Sequence, residues 1–158
     1  MNTTTWLLLA ALVANGLLTG ASLDQTIKQL PARHRIGVLA FSDYSRAGDL
    51  GRGIAWYASL GIGAALLTVV AAVVGLADRP DGQTAAALWL ALALTVAHSF
   101  TTTRAAPTNF SQRAAAGDPV RLTAIFDRFA RWSNARATLQ ALTLLSVAWA
   151  LGSSVAGV

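Results

Sequence analysis

The chain contains four long apolar stretches, separated by one short and two long polar segments. The apolar stretches cover about residues 6–23, 54–77, 84–103 and 137–157. Each is close to the roughly 20 residues that an α-helix needs to cross the hydrocarbon core of a bilayer. The pattern predicts an all-α fold: a four-transmembrane-helix antiparallel bundle that forms a single membrane domain over residues 1–158.

The connections between the spans have different characters. Residues 78–82, Asp-Arg-Pro-Asp-Gly, combine Pro and Gly with charged residues, which predicts a tight turn and an antiparallel hairpin of spans two and three. Residues 24–53 and 104–136 form longer loops, with a short interfacial helix near Phe41. Residues 105–117 are polar, and we expect them to be irregular.

The last helix is predicted to be longer than its span. Asp118 and Pro119 are typical of a helix start, with Asp as the N-cap and Pro at the first helical position. Apolar residues then recur at helical spacing and continue without a breaker into span four. We therefore expect one helix over about residues 119–153, whose protruding amphipathic N-terminal part lies at or above the membrane surface.

Span one has a polar face within its apolar sequence. Asn15, Thr19 and Ser22 are spaced i, i+4 and i+7, so they lie on one side of the helix. Polar groups at membrane depth usually face the interior of a bundle. This face is therefore predicted to point inward.

The charges indicate an orientation. The chain is 54% hydrophobic and only 12% charged, with a net charge of +5, whereas soluble domains have about 25% charged residues. Eleven of the twelve Lys and Arg residues lie in residues 24–53 and 104–136. Because basic residues are retained in cytoplasmic loops, these loops are predicted to be cytoplasmic and both termini outside, in the cytoplasmic membrane. The bilayer, and not nucleic acid, is then the expected partner of the basic residues; the sequence leaves self-association open.

Composition excludes several kinds of site. The chain has no cysteine and no glutamate, and its histidines are His34 and His98. Multi-histidine, thiolate and di-iron carboxylate centres are therefore not predicted, and no cofactor is expected. One alternative stays open, namely a haem with His98 as its sole axial ligand.

Several polar residues are predicted to converge where the spans reach the basic side. Arg136 opens span four, where an unpaired charge costs about 2.5–3.5 kcal/mol, and Asp24 is the predicted partner of its guanidinium. The alternative is that Arg136 extends to lipid phosphates. The candidate residues are Thr19, Asp24, His98, Asn109, Arg128, Trp132, Asn134 and Arg136.

Two segments resemble a known family. Pro107-Thr-Asn109, together with Arg128-Phe-Ala-Arg-Trp132-Ser-Asn134-Ala-Arg136 at the start of span four, resembles the anthrone-oxygenase-like family of small four-helix membrane proteins. In that family an asparagine follows span three and a Trp-x-[His/Asn]-x-Arg-like segment opens span four. Asn134 departs from the histidine that many members have at this position.

The resemblance implies a membrane enzyme that oxygenates a lipophilic polycyclic phenolic ketone without metal or flavin. His98 or Asp24 would then act as the base, and Arg136, Asn109 and Asn134 would donate hydrogen bonds to the developing oxyanion. Trp132 would stack on the flat substrate. The predicted substrate-binding residues are Thr19, Asn109, Trp132, Asn134 and Arg128.

Three alternatives stay open beside this hypothesis. A membrane cyclase or isomerase acting on a hydrophobic natural product would need the same base and apolar pocket. A non-catalytic accessory bundle would use its polar cluster only to hold its helices together. A transporter or channel component is less favoured, because the spans lack a charge near mid-membrane and a Gly/Pro-broken pair.

Overall fold

A computed structural model describes residues 2–156 and consists of helices and short connections. We number the helices as follows: α1 (Thr3–Asp24), α2 (Leu30–Ile36), α3 (Val38–Ala47), α4 (Gly53–Ala77), α5 (Gly82–Phe110) and α6 (Pro119–Ala156). Wider π-helical turns join α1 to α2 and α3 to α4, and a 3-10 turn follows α5. Gly157, the last residue of predicted span four, lies outside the described residues.

Four helical stretches are long and apolar enough to cross a membrane. They are Thr3–Ile36, Val38–Ala77, Gly82–Ala115 and Pro119–Ala156, each 34 to 40 residues long. The prediction of an all-α, four-helix integral membrane protein is therefore confirmed. Because about 20 residues suffice to cross the hydrocarbon core, each stretch extends well beyond the apolar span that the sequence indicates.

The predicted irregular segment is wrong for most of its length. Helix α5 continues through Pro107 to Phe110, and a 3-10 turn extends to Ala115. Ala105 and Asn109 are buried on the inner face of this extension, whereas Pro107 is exposed. The helix therefore continues because its inner face packs against the protein, which outweighs the backbone hydrogen bond that Pro107 cannot donate.

The extensions enclose a second core outside the apolar spans. Phe41 of α3 packs edge-on against Phe126 of α6, with 4.9 Å between the ring centroids. Arg33 forms an ion pair of 3.0 Å with Asp127 across the same region. The protruding part of α6 is present as predicted, and its apolar face is covered by protein. The buried members of this core are Leu30, Phe41, Ala105, Ala115, Leu122, Phe126 and Phe129.

Small residues dominate the core within the membrane. Ala11, Ala72 and Ala87 are each no more than 1% exposed, and Leu8 and Val147 pack with them. Small side chains allow helices to approach closely, which is the main source of packing energy where lipid removes the hydrophobic driving force.

A polar network crosses the middle of the bundle. As predicted, Asn15, Thr19 and Ser22 face inward. The Asn15 side-chain amide donates to the Thr68 hydroxyl of α4 at 2.8 Å, and the Gln140 amide of α6 donates to the Asn15 side-chain oxygen at 2.7 Å. These bonds connect three helices at one depth.

The predicted hairpin turn between α4 and α5 is also confirmed. Asp78 accepts a hydrogen bond of 2.6 Å from Thr4 of α1, so the turn is fastened to the neighbouring helix. Asp81 caps α5: its carboxylate accepts from the backbone N–H groups of Gln83 and Thr84 and from the Thr84 hydroxyl. Asp118 caps α6 in the same way, as the sequence predicts.

The network predicts a measurable stability effect. Asn15→Ala removes the side-chain acceptor of the Gln140 amide and leaves it only the longer bond of 3.5 Å to the backbone carbonyl of residue 15. Interhelical hydrogen bonds in membrane bundles contribute roughly 0.6 to 1.7 kcal/mol. We expect Asn15→Ala to lower the free energy of unfolding by about 1–2 kcal/mol, measured by reversible denaturation in mixed micelles. Thr123→Ala, which removes an exposed hydroxyl bonded to its own helix, is the control; an equal loss in both variants would contradict the role of the network.

The cap at Asp81 predicts a pH dependence. The hydrogen bond from the Thr84 hydroxyl, with smaller contributions from backbone N–H groups, lowers the pKa of Asp81 below its usual 3.8. A lowered folded-state pKa stabilises the fold above the unfolded-state pKa, and this stabilisation is lost as the pH falls through the folded-state value. We expect Asp81→Ala to melt below wild type at pH 7, with the difference narrowing below pH 3.8.

Circular dichroism melting in detergent measures this effect. Asp81→Asn keeps a side-chain acceptor at the cap but does not titrate. Its melting temperature at pH 7 should lie between those of wild type and Asp81→Ala, because the amide keeps an acceptor for the backbone N–H groups but lacks the ionised carboxylate. If Asp81→Asn melted as low as Asp81→Ala, the cap would not be the origin of the effect.

Candidate functional site

A cavity of about 200 Å³ lies between α1, α4, α5 and α6, where the apolar spans meet the basic extensions. Its wall is mainly apolar and includes Leu18, Ile54 and Phe129. Polar side chains enter it from every side: Gln25, Asp49, Tyr57, His98, Thr102, Asn109 and Arg136. An apolar pocket with a few convergent polar groups is the usual form of a small-molecule site.

Both π-helical turns contribute residues to this cavity. Gln25 begins the turn Gln25–Gln29, and Asp49 lies in the turn Gly48–Arg52. The first turn ends two residues before Pro31, whose ring and missing N–H disfavour regular helix in the preceding turn. A π turn rotates the side chains on either side of it relative to a regular helix, and such turns are frequent at functional sites.

Arg136 is held by an amide and not by a carboxylate. Its Nη2 donates to Gln25 Oε1 at 2.7 Å, and its Nε is buried without a partner among residues 2–156. Asp24 instead pairs with Lys28 at 2.5 Å and accepts from Gln29 at 2.6 Å. The predicted Asp24–Arg136 pair is therefore wrong.

The reason is the rotation of the first helix. Consecutive residues are about 100° apart around a helix, so Asp24 and Gln25 cannot face the same direction. The side chain of Gln25 is buried in the bundle, whereas that of Asp24 is partly exposed on the same face as Lys28. The alternative was that the Arg136 guanidinium extends outward to lipid phosphates. The structure instead directs this side chain into the cavity, where it binds Gln25.

His98 faces the bundle interior and is 7% exposed. Its Nε2 is buried, and no side-chain hydrogen bond joins the imidazole to any described residue. An unpaired buried polar group costs about 1–3 kcal/mol, so this imidazole is destabilising unless it serves another purpose. A neutral imidazole has one nitrogen that can accept a proton.

A hydrogen-bonded chain positions the opposite wall. The amide of Gln112 donates to Asn109 at 2.6 Å and to the Ser45 hydroxyl at 3.2 Å. Ser45 in turn donates to Asp49 at 2.8 Å. Asp49, the one acidic residue among those lining the cavity, is thus connected to the end of α5.

The structure brings together three of the predicted site residues, His98, Asn109 and Arg136. It places the other five elsewhere. Thr19 donates to the Gln140 carbonyl at 3.4 Å in the mid-membrane network, and Asp24 pairs with Lys28. Arg128 and Trp132 line a groove on the outer side of α5 and α6, and Asn134 is exposed beside α1.

Sequence reasoning missed Gln25, Asp49 and Tyr57 as members of this site. The sequence does contain an indication for Asp49. It is an acidic residue in the glycine-containing segment, with Gly51 and Gly53, that leads into span two. Gln25 had no comparable signal, since its inward position depends on the π turn. Within residues 2–156, no three histidine or acidic side chains are grouped as a metal site requires. The side chains in the cavity that can act as an acid or a base are those of His98, Asp49 and Tyr57.

Comparison with protein-family models, with curated proteins and with solved structures finds no match to this chain. The assignment of a function therefore depends on the chemistry of the cavity.

The contact between Gln25 and Arg136 predicts a selective loss of stability. Gln25→Leu removes the hydrogen bond that a described residue accepts from the buried Arg136 guanidinium, and hydrogen bonds to charged groups contribute about 1.5–3 kcal/mol. We expect Gln25→Leu to lose that amount in reversible denaturation. The double variant Gln25→Leu/Arg136→Leu should lose less than the sum of the single variants, since no charge is then left without a partner.

Gln29→Leu is the matched control. Gln29 lies in the same π turn, but its amide binds the partly exposed Asp24. This variant should stay within about 0.5 kcal/mol of wild type. Equal losses in Gln25→Leu and Gln29→Leu would mean that the turn, and not the contact with Arg136, determines stability.

Proposed function

We propose that this protein is an integral membrane enzyme that oxygenates a compact lipophilic aromatic ketone without a cofactor, as the resemblance to the anthrone-oxygenase-like family implies. The observation that supports this most is the cavity itself. The imidazole of His98, which makes no hydrogen bond to a described residue, and the guanidinium of Arg136 face the same mainly apolar space.

The size of the cavity favours a compact ligand. Its volume of about 200 Å³ exceeds the roughly 150 Å³ that accommodates benzene in an engineered apolar cavity. It lies below the range of about 300–1,000 Å³ usual for drug-sized ligands. A molecule of a few fused rings without a long side chain fits these limits.

The position of the cavity favours a substrate that is dissolved in lipid. Of the neighbouring pairs of long helices, α4 and α5 are the least closely packed. Both contribute to the cavity wall, α4 with the small residues Ala58 and Gly61. An apolar molecule could enter between these helices directly from the bilayer.

The proposed reaction begins with a proton transfer. His98 takes a proton from the ring CH₂ beside the aromatic rings, and the electron pair of the broken C–H bond moves onto the ketone oxygen to form a phenolate. Arg136 donates hydrogen bonds to that oxyanion and so stabilises the charge as it develops. Asp49, on the same cavity, balances part of the guanidinium charge.

Molecular oxygen is the second substrate and the oxidant. O₂ adds to the carbanion carbon, and the proton from His98 completes a hydroperoxide. Loss of water from this hydroperoxide leaves a new carbonyl group. One O₂ is consumed; one of its oxygens stays in the product, and the other leaves as water with the two hydrogens of the CH₂ group.

The proposed orientation places the basic extensions in the cytoplasm and both termini outside the cytoplasmic membrane. The asymmetry of Lys and Arg along the chain supports this orientation. The mouth of the cavity then lies at the depth of the cytoplasmic leaflet.

Oxygen uptake by protein in nanodiscs tests the proposed reaction. With a hydroxylated anthrone as substrate, we expect wild type to consume one O₂ per quinone formed. A positioned base contributes about 10²–10⁴-fold, so His98→Ala should lower turnover at least about 100-fold while substrate binding, followed by absorbance, is retained. His34→Ala changes the exposed histidine and should leave turnover intact.

Two results would overturn the proposal. Full turnover by His98→Ala would remove the base, and conversion of the substrate without oxygen uptake would indicate a cyclase or isomerase that uses the same cavity.

A further inference from the structure

A second surface, on the outside of the bundle, has a different chemistry. A groove between α5 and α6 is lined at its basic end by Phe100, Arg104, Arg128, Arg131 and Trp132. We call it the outer groove. It shares none of its lining residues with the cavity around His98.

The arginines of the outer groove have no ion-paired or hydrogen-bonded side-chain partner in the part of the chain that the structure describes. The side chains of Arg104, Arg128 and Arg131 form neither an ion pair nor a hydrogen bond with any residue in the range 2–156. Arg104 is instead placed over the ring of Phe100, with 5.3 Å between Cζ and the ring centroid. Three exposed guanidinium groups therefore converge on a groove that contains no carboxylate.

The same seam becomes apolar further along the helices. Leu90 and Leu94 of α5 face Leu142, Leu145 and Trp149 of α6 across a shallow depression. Trp132 and Trp149 are seventeen residues apart on α6, which corresponds to about 25 Å along a helix. The outer groove and the far end of this depression are therefore separated by a distance comparable with the roughly 30 Å thickness of a hydrocarbon core.

We propose that the outer groove binds an anionic phospholipid. Its phosphate would lie among Arg104, Arg128 and Arg131, because guanidinium groups bind phosphate oxygens in a bidentate manner. One acyl chain would follow the apolar seam toward Leu145. Trp132 lies between these parts, at the headgroup depth that tryptophan prefers. Basic pockets between membrane helices are known sites for anionic headgroups.

The apolar continuation distinguishes a lipid from a soluble phosphate compound. A free anion would interact only with the arginines, whereas a lipid would also bury an acyl chain against leucine and tryptophan side chains. Charge complementarity together with this seam therefore favours the lipid as the occupant.

Titration of the purified full-length protein in neutral detergent tests the proposal. Phosphatidylglycerol should raise the melting temperature at lower concentration than phosphatidylcholine, and inorganic phosphate should have no effect at the same concentrations. The double variant Arg128→Gln/Arg131→Gln should lose about 1 kcal/mol of binding free energy per arginine. This loss corresponds to phosphatidylglycerol binding that is roughly 30-fold weaker than in wild type.

Arg35→Gln/Arg52→Gln is the matched control, because it removes two exposed arginines from the same side of the membrane. It should bind phosphatidylglycerol about as well as wild type does, because neither side chain lines the outer groove. An equal loss in both double variants would overturn the proposal in favour of diffuse attraction. Stabilisation by inorganic phosphate alone would also overturn it, in favour of a simple anion site.

A second measurement does not depend on the stability of the arginine variants. In nanodiscs, brominated phosphatidylglycerol should quench tryptophan fluorescence more than brominated phosphatidylcholine. Trp132→Phe/Trp149→Phe, which removes both tryptophans along the proposed path of the lipid, should abolish that difference, whereas Trp56→Phe, which changes an exposed tryptophan on α4, should preserve it. A difference that survives in the double variant would place the lipid elsewhere.

Discussion

The bundle depends on the requirement that polar groups removed from water find hydrogen-bond partners. At mid-membrane this requirement is met by Asn15, which joins Thr68 of α4 and Gln140 of α6. Each bond restricts the rotation of one helix relative to another, because the side chains reach each other from one face only. The small residues of the surrounding core then allow the helices to approach closely. The polar network and the small-residue core together set the rotation of each helix. They therefore determine which residues face inward in the neighbouring parts of the same helices.

Buried polar groups are only partly hydrogen-bonded where the apolar spans meet the basic extensions, and the cavity lies at this level. Arg136 has one amide partner, and the imidazole of His98 has none among the described residues. The cavity persists because well-packed regions enclose it on two sides. The mid-membrane network lies on one side, and the core around Phe41 and Phe126 lies on the other. Unmet hydrogen-bonding capacity held in a rigid surrounding is what a binding or catalytic site needs, since the groups are positioned before the ligand arrives.

The basic residues of the chain consequently have different surroundings, although the sequence presents them as one set. Arg33 forms an ion pair with Asp127 and fastens α2 to α6. Arg136 points into the cavity, and Arg128 and Arg131 point outward from the same helix. A single long helix can therefore contribute to the internal cavity and to the outer groove within about 12 Å along its axis. The separation of these two features around the helix follows from the rotation of about 100° per residue.

The sequence by itself determined the elements whose signals are local. The four spans follow from the length of the apolar stretches, the start of α6 from Asp118 and Pro119, and the inward face of α1 from the spacing of Asn15, Thr19 and Ser22. The site was predicted only in part, through His98, Asn109 and Arg136. Only the tertiary structure decided that Gln25 contacts Arg136 in place of Asp24, that Asp49 lines the cavity, and that α5 continues past Pro107. These outcomes depend on a π turn and on burial against distant helices, and neither has a periodic signature along the chain.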